Sequence, residues 1–173
     1  MLHHLPINKD TNSEGPFQTQ SRDADPSRSF AATSSFTSAS SPEPVILLAE
    51  DDEDLLMLTG AFLKTTGYKV LSCSNGRIAS EVFRRVPRVD LLLTDIRMPE
   101  LSGIELARDL TQIEPSLPVL MISGGALTEN LEEEIRQRGW QFLAKPWRFP
   151  DLLASVHAML GSHFLKDAST DPW

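Results

Sequence analysis

The sequence predicts an α/β fold: a doubly wound, five-stranded parallel sheet in the order 2-1-3-4-5, with helices on both faces. Three observations predict it. Short apolar runs such as Val45-Ile46-Leu47-Leu48-Ala49 and Leu91-Leu92-Leu93 lack any alternation, the mark of strands buried on both faces. Stretches with apolar residues at helical spacing separate these runs, so strand and helix alternate five times from residue 45 to residue 160. Right-handed crossovers then leave few topologies open. Finally, the runs end in charges. Glu50 and Asp51 follow the first and Asp95 follows the third, at the carboxyl ends of strands 1 and 3, where such a sheet gathers its ligands.

Taken in order, residues 1–44 differ from the rest. Thr33-Ser34-Ser35-Phe36-Thr37-Ser38-Ala39-Ser40-Ser41-Pro42 is low-complexity, and the whole segment is poor in aliphatic residues. It cannot bury enough apolar surface to offset its chain entropy and is predicted to be disordered. It is a tether, a carrier of a short motif around Phe30 or Phe36, or an extension without a role. His3 and His4 have no second ligand pair at metal spacing. Strand one is predicted over 45–49, followed by a helix with Leu55, Leu58, Phe62 and Leu63 on its apolar face and Gly67 as its stop. Residues 69–73 read as strand two and Asn75-Gly76 as a turn. Ile78, Val82 and Val86 line helix two. Strand three covers 91–94, and Ile104, Ala107 and Leu110 face inward from helix three. Strand four covers 118–122, while Leu127, Leu131 and Ile135 mark helix four, ended by Gly139. Strand five covers 141–144, and Leu152, Leu153, Val156 and Leu160 form helix five. The domain is therefore expected over 45–162, with 163–173 a short tail.

Composition narrows the function. The chain of 173 residues has a formal net charge of -8 and no cluster of Lys and Arg on one predicted helix, which argues against direct nucleic-acid binding. Cys73 is the only cysteine, so no intrachain disulfide forms and a reducing cytosol fits; its plain role is a small, semi-buried residue at a strand end. No apolar run approaches the roughly 20 residues of a membrane span, and no basic-then-apolar leader opens the chain. A soluble cytoplasmic protein is expected.

The strand ends carry the chemistry. Three carboxylates crowded at one sheet edge raise one another's pKa unless a cation intervenes. Lys145, at the end of strand five, is one such cation. A divalent ion is another, and oxygen ligands on a solvated edge suit Mg²⁺, whereas the lack of His and Cys disfavours zinc. Asp95 is placed to act as a nucleophile toward a phosphoryl group, with Mg²⁺ and Lys145 neutralising the charge that spreads over the transferring oxygens. Ser123, at the end of strand four, offers a hydroxyl to the phosphoryl once it arrives.

Residues 45 to about 162 resemble the receiver domain of two-component response regulators. The resemblance rests on Ile46-Leu47-Leu48-Ala49-Glu50-Asp51-Asp52, Leu93-Thr94-Asp95-Ile96-Arg97-Met98-Pro99 with Gly103, Pro118-Val119-Leu120-Met121-Ile122-Ser123, and Phe142-Leu143-Ala144-Lys145-Pro146. It implies a flavodoxin-like (βα)5 receiver fold that takes a phosphoryl group from a histidine kinase or phosphotransfer protein onto Asp95. It further implies Mg²⁺ held by Glu50, Asp51, Asp95 and the backbone carbonyl of Arg97. Lys145 becomes the phosphate-contacting cation, Ser123 the switch hydroxyl, Phe142 the switch aromatic and Pro146 a position usually cis. Glu50 stands where the family more often has Asp, Ser123 where it has Thr, and Trp147 where Phe is frequent. Phe142 lacks a phenolic hydroxyl, so switching there works by packing. Gly124-Gly125 makes the next loop more mobile. With so little chain after Leu160, a stand-alone receiver is expected, signalling through a protein partner and catalysing only its own phosphorylation and dephosphorylation.

Plainer readings stand beside these. Asp51 or Asp52 would serve as a helix cap. Trp140, Trp147 and Phe149 form either a partner surface or semi-buried packing. His157 reads as a solvated residue rather than a phosphorelay histidine, and Glu129, Glu132, Glu133 and Glu134 as the wet face of helix four. One rival function is a Mg²⁺-dependent phosphatase of the haloacid-dehalogenase type, but Arg97 occupies the position where that family needs a second Asp. The other is a receiver-like interaction module with vestigial phosphorylation, against which the intact Asp95 and Lys145 argue.

Overall fold

The computed structural model describes residues 43–167. Residues 1–42 of the extension and 168–173 of the tail lie outside the described residues, and so do the expectations made for them.

Among the described residues ten elements follow in strict alternation: β1 Val45–Ala49, α1 Glu53–Thr65, β2 Lys69–Cys73, α2 Gly76–Phe83, β3 Leu91–Asp95, α3 Gly103–Ile113, β4 Val119–Ser123, α4 Glu129–Gln137, β5 Gln141–Ala144 and α5 Phe149–Asp167. The strands form one sheet in the order β2-β1-β3-β4-β5, every pair parallel, as the sequence predicts. Because side chains alternate across a strand, each run feeds two cores. Leu47, Leu92 and Met121 pack with Ala79, Ile104 and Leu110 on the α2–α3–α4 side. Ile46, Leu48, Leu91, Leu93 and Leu120 pack with Leu63, Leu152 and Val156 on the α1–α5 side.

Register delivers the site. Ala49 pairs with Thr94, Asp95 with Ile122, and Ser123 with Ala144. The strands thus end abreast, and the residues at or just beyond their ends share one edge. Backbone bonds continue the alignment there: Ile96 N–H donates to Ile122 at 2.9 Å and Lys145 N–H to Ser123 at 2.8 Å.

The loops leaving that edge are fixed by caps. Asp52 accepts from Leu55 N–H at 2.9 Å, and Ser102 forms a reciprocal box with Glu105. Gly67 and Gly139 end α1 and α4 with φ of 96° and 68°, a left-handed conformation that glycine adopts without a Cβ clash.

Two inner faces differ from the sequence expectation. In α1 the buried residues are Thr59, Gly60 and Leu63, while Leu58 is 53% exposed. The helix approaches the sheet through its smallest residue: a Cβ on Gly60 would stand 3.0 Å from Ser72 Oγ. That close approach turns Leu58 outward. In α2 the buried residues are Gly76, Ala79 and Ser80; Ile78 is exposed, and Val86 lies beyond the helix. Asn75-Gly76 is a helix start rather than a free turn, since Asn75 accepts from Ile78 N–H at 2.8 Å. The strand ends shift by a residue, with β3 reaching Asp95 and β4 running from Val119 to Ser123. Helix α5 continues to Asp167, past the boundary expected at 162.

Candidate functional site at the strand ends

Glu50 leaves β1 as a nearly buried side chain, 3% exposed, because the backbone there is still held by the sheet: its N–H donates to Cys73 at 3.1 Å. Asp95, the last residue of β3, is also buried. Asp51 turns outward between Glu50 and the cap residue Asp52. One carboxylate oxygen from each of Glu50, Asp51 and Asp95 lies within 4.8 Å of the others. Asp52 takes the capping role instead, so the acidic run divides its duties.

Lys145 joins the cluster from the end of β5. Its Nζ donates to both oxygens of Glu50, at 3.1 and 2.9 Å, and to Asp95 Oδ2. Burial by itself would lower the ammonium's pKa. The hydrogen bonds and charges of Asp95 and Glu50 outweigh it, and Lys145 stays above its ordinary value. Burial lifts Glu50 above the usual carboxylate range even against the pull of Lys145. On its other oxygen, Asp95 Oδ1 accepts Arg97 N–H at 2.7 Å. The carboxylate is therefore oriented from both sides.

Ser123 ends the neighbouring strand, buried, with its Oγ accepting Gly125 N–H at 3.3 Å. The Arg97 side chain folds over that same loop: a Cβ on Gly125 would stand 2.8 Å from a guanidinium nitrogen. Phe142 does not join the carboxylates. It sits in β5 opposite Met121, 36% exposed. The Lys145–Pro146 peptide is cis. Trp140 is buried, Trp147 packs against the α1–α5 core, and Phe149 stays partly exposed against Phe62 at 4.5 Å between ring centres.

Several supporting residues were not apparent in the sequence. Gly103 lets α3 start against the Asp95 backbone; its place in the motif was visible but the contact was not. Asp90 is buried and accepts Val45 N–H at 2.7 Å and Arg88 Nε at 2.5 Å, tying β1 to the segment before β3. Glu134 is not part of a wet face: it takes Arg108 from α3 at 2.8 and 2.5 Å. One glutamate among several on an acidic helix gives no sign of its partner on the neighbouring helix.

Five parallel strands in this order, with carboxylates and a lysine at their ends, define a doubly wound α/β domain whose site lies at the carboxyl edge of its sheet. Residues 46–157 match the response regulator receiver domain family, and the chain belongs to that family. It is 41% identical over 115 residues to the response regulator receiver protein CpdR of Brucella abortus (strain 2308), covering 66% of this chain and 95% of that protein. It is 32% identical over 126 residues to the transcriptional regulatory protein ZraR of Escherichia coli O157:H7, covering 72% of this chain but only 28% of that larger protein. A solved response regulator receiver protein from Sinorhizobium medicae WSM419 superimposes with a TM-score of 0.62 at 29% identity, covering 70% of this chain and 98% of that one. The chain thus holds a receiver domain of a two-component response regulator, a signalling domain of a family that works with histidine kinases or phosphotransfer partners. Receiver domains bind Mg²⁺ at an acidic pocket, and Glu50, Asp51 and Asp95 form such a cluster here. Among the described residues, no helix is long and apolar enough to cross a membrane.

Proposed function

We propose that Asp95 accepts a phosphoryl group from a histidine kinase or phosphotransfer protein, and that the modified domain signals through a protein partner. The observation that carries this reading is the Lys145 ammonium bridging Glu50 and Asp95 at the sheet edge, with Asp51 in reach. In the transfer, an Asp95 oxygen forms a bond to phosphorus as the donor's N–P bond breaks, and the electron pair stays on the donor imidazole, which takes a proton from solvent. Arg97 N–H and Lys145 hold the carboxylate in one orientation, so little reorganisation precedes attack. Lys145 stays charged and stabilises the phosphoryl oxygens.

The donor set fits Mg²⁺: three carboxylates offer one oxygen each, without nitrogen or sulfur, and the buried Glu50 gains from a nearby cation. Glu50, Asp51, Asp95 and the Arg97 carbonyl would hold the ion, which when bound supplies further neutralisation of phosphoryl charge. Ser123 would donate its hydroxyl to the phosphoryl, and Phe142 would respond by repacking near β5. The stand-alone reading is supported by the near-complete coverage of the CpdR relative. A cytoplasmic location belongs to the same proposal, since the single cysteine suits a reducing compartment.

Incubation with acetyl phosphate and Mg²⁺ followed by intact mass tests this. One added phosphoryl group is expected, lost in Asp95→Ala; no uptake, or uptake that survives that substitution, would overturn it.

A further inference from the structure

Helix α4 follows the site by a short route. Four residues separate Ser123 from the cap residue Thr128, and two of them are Gly124 and Gly125. The helix is lightly anchored by apolar packing, since Ile135 is its one buried residue and Leu131 is only partly buried. Charge supplies the remaining attachment. Arg108 on α3 donates to Glu134 from Nε at 2.8 Å and from a terminal nitrogen at 2.5 Å, a two-point fork. One turn on, Arg138 Nε donates to the same carboxylate at 2.9 Å. The Arg138 guanidinium lies 4.9 Å from the centre of the buried Trp140 ring, just before β5. The hydrogen bonds from Arg108 hold the Glu134 carboxyl below its ordinary range, as a persistent pair requires.

We infer that Glu134 is a positioning residue for the phosphoryl switch: by joining Arg108 to Arg138 it seats α4 against α3, and this joint opens when the Ser123 loop moves toward a phosphoryl group on Asp95. The inference rests on the function proposed above. A helix with one buried residue shifts without emptying a core. A two-point guanidinium–carboxylate bond, in contrast, loses its geometry once either helix moves by about an ångström. The joint is therefore the discrete contact that distinguishes two positions of α4. A partly exposed pair of this kind biases such an equilibrium by roughly two- to fivefold, enough to tune a switch and too little to govern folding.

Trp140 provides the readout. In the full chain carrying Trp147→Phe and Trp173→Phe, Trp140 is the sole tryptophan. Its emission is recorded before and after acetyl phosphate with Mg²⁺, with intact mass measured on the same samples. In this parent, phosphorylation is expected to shift the emission as Arg138 leaves the ring. Glu134→Gln and Arg108→Ala should each start displaced toward the phosphorylated spectrum and take up phosphoryl roughly two- to fivefold faster. The double variant should add nothing further, because both changes cut one joint. A parent that gains phosphoryl mass without any Trp140 change overturns the inference, as do variants with the parent's spectra and rates. A parent that gains no mass fails the functional proposal and the switching role with it, while displaced variant spectra would still report that Glu134 seats α4.

Discussion

Replacing Gly103 by Ala tests how the fold holds Asp95 in place. A Cβ at this position would stand 2.0 Å from the Asp95 carbonyl oxygen, 2.7 Å from Thr94 Oγ1 and 2.9 Å from the Asp95 carbonyl carbon. Ordinary contacts are more than an ångström longer than the first of these, and two of the three neighbours are backbone that cannot rotate away. Either the first turn of α3 or the end of β3 must shift. Gly103 N–H donates to Ile96 at 3.0 Å, so the shift also strains a bond that closes the loop. Overpacking costs about 1–3 kcal/mol and a compromised buried hydrogen bond about 1 kcal/mol more, so a loss of roughly 2–4 kcal/mol is expected.

Urea unfolding is the assay. With slopes of about 1–3 kcal/mol per molar urea, the midpoint should fall by on the order of 1–2 M. Gly161→Ala is the control: this glycine sits in α5 with nothing within 4 Å of a Cβ, so alanine should stabilise by about 1 kcal/mol. Opposite signs at the two glycines support steric seating of Asp95. A Gly103→Ala midpoint that matches the unmutated protein would refute it.

Three further outcomes are expected. Lys145→Ala removes the cation between Glu50 and Asp95, and phosphoryl uptake from acetyl phosphate should slow by roughly 10²–10³-fold, read by intact mass over time. Burial pushes the Cys73 thiol from 9.0 up to about 11. The unfolded thiol therefore ionises first, and its contribution, complete below pH 9, is lost as pH rises through 11. Urea titrations should show a decline across that window that is larger by roughly 2–3 kcal/mol than in Cys73→Ala; an equal decline in both proteins would contradict the assignment. Asp90→Ala leaves the Val45 N–H without its acceptor and should cost about 1–3 kcal/mol; a change below about 0.5 kcal/mol would show that the bond contributes little.

The sheet was legible because its strands are buried on both faces. A run such as Leu91-Leu92-Leu93 admits few other structures, and the charges that end each run fall at the edge where parallel register aligns them. Glu50, Asp51, Asp95 and Lys145 were read together for that reason, and the structure brings them together. Helix faces were harder to read. The expected face of α1 follows the largest residues, whereas the helix docks through Gly60, since close approach to the sheet rewards small side chains. The same preference puts Ala79 and Ser80 inside α2 and leaves Ile78 outside. Contacts between side chains on different helices, such as Arg108 with Glu134, leave no periodic trace and needed the structure.

If Asp95 is the phosphoryl acceptor, the new bond lies on its carboxylate, and chemical trapping locates it. After acetyl phosphate and Mg²⁺, the modified protein is treated with borohydride, which reduces an aspartyl phosphate at its acyl carbon, and is then mapped by peptide mass. A single reduced residue, Asp95, is expected, and none in protein not exposed to acetyl phosphate. Reduction at another carboxylate, or a phosphoryl group that resists borohydride and stays on a serine or histidine, would contradict it.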